Sequence, residues 1–176
     1  MKDIKKKYVL LVNEKNQILG KLEKLDAHKK GLLHRAFSIF VFNEKKELLL
    51  QKRAEKYHSS YLWSNTCCSH PISEDENLIK NEAEKRLLEE MGFTCNLEKK
   101  FNFIYRARLD NNLIEHEYDI VFFGFVNSNI KIKPNKYEVI DYKWISLNDL
   151  KRDIEKSRDN YTPWLRIIID EVISLI

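Results

Sequence analysis

The sequence contains little glycine, proline or cysteine. Only four of its 176 residues are glycine and three are proline, which excludes a collagen-like or low-complexity chain. Hydrophobic residues make up 43% of the chain and can form a core, so a wholly disordered chain is also excluded. Since the sequence has no repeat and no linker, its length predicts a single domain that spans residues 1–176.

Cysteine is too scarce for a disulfide framework. Cys67, Cys68 and Cys95 cannot all pair within the chain, and two adjacent cysteines are poor partners for each other. Reduced thiols are therefore expected, as is typical of a cytoplasmic protein. Long hydrophobic runs are also absent, since none approaches the roughly 18 residues that a membrane-spanning helix needs. We expect a cytoplasmic protein that is neither exported nor inserted in a membrane.

The sequence also lacks a large excess of either charge. Lys and Arg total 31 against 27 Asp and Glu, which gives a net charge of +4. This excess is too small and too evenly spread to predict binding to nucleic acid, whereas it suits a small anionic ligand. Nothing in the composition indicates the oligomeric state.

The hydrophobic pattern predicts strands and helices in one mixed arrangement. Short β-branched and aromatic runs predict strands at residues 8–12, 36–42, 47–51, 101–109, 114–126 and 137–145. Helical spacing predicts helices at residues 73–91 and 147–157 and from residue 162 onward. The first helix is expected to begin with a capping box of Ser73 and Glu76 and to end before Gly92. The order of these elements predicts an α/β fold, with helices packed on a mixed sheet in one domain.

Two short stretches place metal-binding and reactive side chains together. If residues 65–71 are extended, Cys68 and His70 lie on one face of the strand. The same alternation places Glu115 and Glu117 on one face of the strand predicted at 114–126. Two carboxylates on an apolar strand are costly to bury unpaired, so a cation is the simplest partner. Imidazole and carboxylate ligands together suit Zn²⁺, Mn²⁺ or Mg²⁺.

Simpler interpretations of these stretches stay open. Glu115 and Glu117 could lie in water near a sheet edge, and the adjacent cysteines could be inert core residues. A zinc knuckle is disfavoured because the cysteines lack the Cys-x-x-Cys spacing.

Several motifs together resemble one enzyme family. Residues 85–93, Lys-Arg-Leu-Leu-Glu-Glu-Met-Gly-Phe, resemble the tail of the Nudix box, with Lys85 and Arg86 in place of its Arg-Glu pair. A solvated helix face is the alternative for this stretch. Further motifs are residues 31–38, 65–71, 105–107, 115–117 and 163–164. With them the chain resembles the type 1 isopentenyl-diphosphate isomerases, which implies a Nudix-type α/β/α sandwich with a mixed β-sheet.

The resemblance also implies a role for each residue of an active site. It implies catalytic roles for Cys68 and Glu117 as acid and base, for Tyr105 as a hydrogen-bond partner of Glu117, and for Trp164 against the hydrocarbon of the substrate. One divalent metal, Zn²⁺, Mn²⁺ or Mg²⁺, would be bound by His28, His34, His70, Glu115 and Glu117. Glu90 would hold a Mg²⁺ on the substrate diphosphate, which would also contact Lys24, Arg53, Lys56 and Arg86.

The implied reaction converts isopentenyl diphosphate to dimethylallyl diphosphate in isoprenoid biosynthesis, by protonation at one carbon and deprotonation at another. Two alternatives remain at this point. One is a Nudix hydrolase of a nucleoside diphosphate derivative. The other is a catalytically silent module in which the His and Glu side chains only bind a metal.

Overall fold

The structure, a computed structural model, describes residues 7–56 and 58–176. These residues form nine β-strands and four α-helices. Residues 1–6, which belong to the domain predicted at 1–176, and residue 57 lie outside them. The strands are β1 (Tyr8–Val12), β2 (Ile18–Glu23), β3 (His34–Phe42), β4 (Glu47–Arg53), β5 (Trp63–Ser64), β6 (Cys67–Ser69), β7 (Leu97–Arg108), β8 (Ile114–Phe125) and β9 (Val139–Ser146). The helices are α1 (Lys24–Lys30), α2 (Glu76–Met91), α3 (Leu147–Lys156) and α4 (Pro163–Ser174), with short 3₁₀ turns at Asp110–Asn112 and Arg158–Asn160.

Strand β3 is the centre of a mixed sheet. All nine of its residues are buried. It pairs in parallel with β8 and antiparallel with β1, β4 and β6, while β7 extends the sheet beyond β8 and β9 extends it beyond β4. The predicted α/β fold with a mixed sheet is therefore confirmed.

Alternate residues of the central strands face two separate hydrophobic layers, as a period of two requires. On one face, Phe40, Phe42 and Phe123 pack against helices α3 and α4. On the other face, Phe37, Ile39 and Val41 pack against α2. The layers are thus helix, sheet and helix. Within the described residues no helix is both long and apolar enough to span a bilayer.

The predicted start of helix α2 is wrong, whereas its predicted end is confirmed. The residue before the helix is Asp75, whose side chain accepts a hydrogen bond from the Asn77 N–H at 2.9 Å. The Ser73 hydroxyl does not cap the helix, because it accepts a hydrogen bond of 3.2 Å from the N–H of Asp75, the residue that precedes the helix. Gly92 ends the helix with a φ of 75°, in the left-handed region that favours glycine.

Strand β2 and helix α1 form without having been predicted. Other boundaries also shift, since β7 begins at Leu97, four residues before the predicted start, and β9 begins at Val139, two residues after it. Strands β3 and β4 form a hairpin, with the Asn43 N–H donating to the Glu47 carbonyl. Helix α1 matters most for the site, because it carries Lys24 and His28.

Candidate active site

Four side chains from four parts of the fold converge beneath α1. His28 comes from α1, His34 from the first position of β3, His70 from the residue after β6, and Glu115 from β8. One potential ligand atom of each lies within 4.8 Å of those of the others. His28 and His34 are completely buried, and Glu115 is 3% exposed. The parallel pairing of β3 with β8 places His34 opposite Glu117, so the sheet itself builds this cluster.

Hydrogen bonds on the outer side of the cluster orient two of its imidazoles. Nδ1 of His28 lies 2.6 Å from the Lys24 carbonyl, and Nδ1 of His34 lies 2.8 Å from the Leu32 carbonyl. Because a carbonyl oxygen only accepts, each Nδ1 carries the hydrogen and each Nε2 presents a lone pair to the cluster. This is the usual arrangement of metal-binding histidines.

The centre of the cluster has the chemistry of a metal site. Nε2 of His34 and Oε2 of Glu115 are buried, and among the described residues neither has a hydrogen-bond partner. Oε2 of Glu115 lies 2.9 Å from Nε2 of His28. Buried lone pairs that face one another are unfavourable unless a cation lies between them. The cluster can therefore hold a divalent metal ion.

Glu117 lies between this cluster and Tyr105. Its Oε1 lies 2.8 Å from Nε2 of His70, and its Oε2 accepts a hydrogen bond of 2.6 Å from the Tyr105 hydroxyl. Burial alone would raise the pKa of Glu117, but the nearby imidazoles of His34 and His70 hold that pKa well below its usual value. Burial and the charge of Glu117 raise the pKa of Tyr105 well above its usual value, so the phenol stays a donor.

A third carboxyl group, Asp119, lies on the same face of β8, and sequence reasoning missed it. Asp119 is buried, and its Oδ2 accepts a hydrogen bond of 2.7 Å from the Ser38 hydroxyl. Burial and the nearby charge of Glu117 raise the pKa of Asp119 well above its usual value. The alternation of side chains along a strand could have indicated Asp119, since positions 115, 117 and 119 share one face.

Cys68 faces the same side of the sheet as this carboxylate row. It pairs across β6 and β3 with Ser38, and it lines a small cavity of about 50 Å³ together with His70, Glu117 and Tyr105. Burial raises the pKa of the Cys68 thiol to about 12, although Arg53 opposes the shift. Cys67 points to the opposite face and is completely buried in the layer beside α2. The predicted alternation along residues 65–71 is therefore confirmed for Cys67, Cys68 and His70.

Trp164 forms one wall of this small cavity. It is the second residue of α4, and its indole Nε1 donates to Ser64 Oγ and Asn65 Oδ1, each at 3.0 Å. These two hydrogen bonds fix the ring, and one ring face is covered by the Arg53 guanidinium at 5.2 Å from the ring centre. The ring can therefore present only its remaining surface to a substrate.

A larger cleft of about 520 Å³ adjoins the small cavity and is rich in positive charge. It brings together the four basic residues and the glutamate that the sequence predicts for the diphosphate, which are Lys24, Arg53, Lys56, Arg86 and Glu90. Lys24 is shared by both cavities and is half-buried, and its desolvation lowers its pKa although Glu115 and Glu117 oppose the shift.

Arg86 is held by carboxylates at the floor of the cleft. It lies 2.6 Å from Glu90 Oε1 and also pairs with Glu138 and Glu89. Glu90 receives a second hydrogen bond, of 3.0 Å, from the Gln51 amide. Glu138, which sequence reasoning missed, also lies 3.6 Å from Lys56. Lys56 and Arg86 therefore share one carboxylate, and an anionic ligand would compete with it.

His58 is a further buried residue of the site that the sequence did not reveal. It lies in the loop between β4 and β5, is 2% exposed, and lines both cavities. Its Nε2 lies 3.5 Å from Oε1 of Glu115. Burial and the charge of Arg53 lower the pKa of His58 to about 2. No periodic pattern surrounds His58, so nothing in its spacing could have indicated this position.

Comparisons with known proteins identify the family and agree with the fold. The NUDIX domain family model matches residues 32–165. Isopentenyl-diphosphate Delta-isomerase 2 of Photorhabdus laumondii is 50% identical over 163 residues, which cover 92% of this chain and 90% of that protein. Isopentenyl-diphosphate Delta-isomerase 2 of Aromatoleum aromaticum is 47% identical over 167 residues, which cover 94% of this chain and 86% of that protein.

Solved structures with little sequence identity show the same fold. A protein of Deinococcus radiodurans aligns with a TM-score of 0.74 at 14% identity and covers 94% of this chain and 98% of its own. A MutT protein from Methanosarcina mazei aligns with a TM-score of 0.61 at 20% identity and covers 79% of this chain and 91% of its own. The resemblance expected from the motifs is confirmed, and the chain belongs to the Nudix family and, within it, to the isopentenyl-diphosphate Delta-isomerases.

Proposed function

We propose that this protein converts isopentenyl diphosphate to dimethylallyl diphosphate in isoprenoid biosynthesis. The reaction adds a proton to the terminal CH₂ carbon of the double bond and removes one from the methylene attached to the other alkene carbon. The double bond therefore moves, and the composition does not change. The observation that carries this proposal is the position of Cys68, which lines a small cavity together with Glu117 and also borders the basic cleft. A thiol and a carboxyl group on separate strands can serve one substrate as acid and base.

The charge of the cleft supports a diphosphate as the substrate's anionic end. Lys24, Arg53, Lys56 and Arg86 would bind its oxygens, which are recognised well by ammonium and guanidinium groups. Lys56 and Arg86 both pair with Glu138, so the diphosphate would replace part of these ion pairs with its own. Glu90 would hold the Mg²⁺ that neutralises the remaining phosphate charge.

The wall around the small cavity supports the hydrocarbon chemistry. An alkene is a poor base, so its protonation develops positive charge on a tertiary carbon. The Trp164 ring can stabilise a nearby cation by up to about 2 kcal/mol when water is excluded. Tyr105 would hold Glu117 in place through its 2.6 Å hydrogen bond while a proton moves to or from that carboxyl group or Cys68.

One divalent ion, Zn²⁺, Mn²⁺ or Mg²⁺, would be held by His28, His34, His70, Glu115 and Glu117. When bound, it supplies a positive charge that changes the acidity of the Glu117 carboxyl group. We also infer a cytoplasmic location, because Cys67, Cys68 and Cys95 are all free thiols.

Turnover of isopentenyl diphosphate in D₂O tests the proposal. We expect deuterium in the methyl group of the allylic product by mass spectrometry, with no phosphate released. The Cys68→Ala variant serves as the control and should leave the substrate unlabelled. Released phosphate would indicate a Nudix hydrolase instead, and a substrate that stays unlabelled and intact with the unchanged protein would indicate a silent metal-binding module.

A further inference from the structure

His58 lies at the boundary between the histidine and glutamate cluster and the Trp164 wall, and the proposed reaction gives it no task. Its ring stacks against His28, with 5.7 Å between the ring centres. The ring also meets Trp164 edge-on, with 6.4 Å between the centres. His58 is 2% exposed, so its buried imidazole contacts the cluster on one side and the Trp164 ring on the other.

The two oxygens of Glu115 point to different partners. Oε2 faces the centre of the cluster, 2.9 Å from Nε2 of His28 and 3.8 Å from Nε2 of His34. Oε1 faces away from that centre, 3.5 Å from Nε2 of His58. The carboxylate therefore has one oxygen available to an ion and one oxygen turned to an imidazole.

The surroundings of His58 determine which of its nitrogens donates. When Nδ1 accepts a hydrogen bond from the neighbouring Ser59 hydroxyl, the hydrogen of the neutral ring is on Nε2, which faces Oε1 of Glu115. Nδ1 lies 3.1 Å from Ser59 Oγ, whose hydroxyl can donate to it. Nε2 donates both in this neutral tautomer and in the charged imidazole, so the contact with Glu115 does not depend on a protonation change.

The loop around His58 is anchored on both sides. The Ser59 N–H donates to Asp110 Oδ1 at 3.0 Å, and the Ser59 carbonyl accepts a hydrogen bond of 3.1 Å from Arg53 Nε. The Tyr61 N–H in turn donates to the Arg53 carbonyl at 3.2 Å. These bonds hold the backbone next to His58, so its ring keeps a defined direction relative to Glu115.

We propose that His58 is a positioning residue for the metal site, whose Nε2–H retains Oε1 of Glu115 so that Oε2 alone faces the ion. This inference rests on the proposed metal site, but it does not require the isomerase reaction. Groups that orient metal-binding carboxylates and imidazoles commonly change metal affinity by about 10- to 100-fold when they are removed. His58 would thus act on the ion through Glu115, without being a ligand itself.

Titration of metal-free protein with Mn²⁺, without substrate, tests this inference. We expect His58→Leu to weaken Mn²⁺ binding by about 10- to 100-fold, measured by the electron paramagnetic resonance signal of free Mn²⁺. His58→Gln should recover most of the affinity, because its amide N–H reaches about as far as Nε2. His116→Leu is the matched control, since His116 lies on the other face of β8 and bonds the Gly31 carbonyl at 3.0 Å. It should bind Mn²⁺ as the unchanged protein does.

Unchanged Mn²⁺ affinity in His58→Leu would overturn the proposal, and so would a loss in His58→Gln as large as that in His58→Leu. If His58→Leu does not fold, as judged by circular dichroism, Ser59→Ala decides, because it removes only the hydroxyl that meets Nδ1. Weaker binding in Ser59→Ala supports the proposal, and unchanged binding overturns it. The two proposals can also fail separately. If the His58 variants bind Mn²⁺ as expected but the unchanged protein releases phosphate in D₂O, the role of His58 is supported and the isomerase reaction is refuted.

Discussion

Neighbouring side chains in this protein belong to different layers, and Cys67 and Cys68 are the clearest example. Cys67 is completely buried beside α2, where it contributes to packing. Cys68 is partly buried on the other face of the sheet and borders both cavities. A thiol can exchange a proton with a substrate only where the substrate can reach it. Only the second of these two cysteines is therefore expected to matter for turnover.

We predict that Cys68→Ala lowers kcat by about 100- to 10,000-fold, the usual contribution of an acid or base group. Product formation from isopentenyl diphosphate measures the effect, and circular dichroism checks that the fold is retained. Cys95→Ala is the control, because Cys95 lies beside α2 and lines neither of the two cavities around Cys68. Near-normal turnover by Cys68→Ala would show that the thiol is not catalytic.

A second prediction concerns the hydroxyl of Tyr105. Hydrogen bonds to charged groups contribute about 1.5 to 3 kcal/mol, so Tyr105→Phe should lower kcat by about 10- to 100-fold. KM should change little, because Tyr105 lines the small cavity and not the basic cleft. Tyr118→Phe is the control on the other face of β8. A rise in KM with an unchanged kcat would mean that Tyr105 acts on substrate binding instead.

At the scale of elements, periodicity predicted those segments that are buried in a regular way. Strands β3 and β8 and helix α2 follow their patterns closely, since each buries one or two complete faces. Strand β2 is only half-buried and is interrupted by Gly20, and α1 has seven residues, too few for a helical pattern. Their places depend on contacts with distant parts of the chain, which no local pattern contains.

The site was predictable to a similar extent. Alternation along a strand placed Cys68 with His70 and Glu115 with Glu117. It could not show that α1, β3, β6 and β8 meet, because this follows from the sheet topology, and the family motifs supplied that step. His58 escaped notice because it lies in a loop without a pattern. Glu138 fell inside the strand predicted at residues 137–145, and its role was missed because it depends on contacts with the distant Lys56 and Arg86.

The end of helix α2 gives a prediction about stability. A Cβ on Gly92 would lie 2.2 Å from the Lys133 carbonyl oxygen, and the left-handed backbone there is itself unfavourable for alanine. We expect Gly92→Ala to lower the free energy of unfolding by about 2 to 4 kcal/mol in urea titrations, from backbone strain and overpacking together. Lys85→Ala, on the exposed face of the same helix, should change it by less than about 0.5 kcal/mol. Equal stability of the two variants would contradict this account.

At the scale of the whole molecule, the buried cluster should make stability depend on metal. An ion at 100 times its dissociation constant stabilises the folded state by about 2.7 kcal/mol. For a chain of this size we expect Zn²⁺ or Mn²⁺ to raise the Tm of metal-free protein by about 5 to 10 °C in scanning calorimetry. His34→Ala removes one imidazole and should lose most of this shift. A shift of the same size in that variant would place the ion elsewhere, for example at Glu90.

The parallel pairing of β3 with β8 has a consequence for the folding rate. The chain between them includes β4, β5, β6, α2 and β7, so a long loop must close before the two strands meet. His34 and Glu115 lie on opposite sides of that closure, and the metal site cannot exist before it. Interactions that form after the folding transition state slow unfolding and leave the folding rate almost unchanged. A bound ion would therefore lengthen the lifetime of the native protein without helping the chain to reach it.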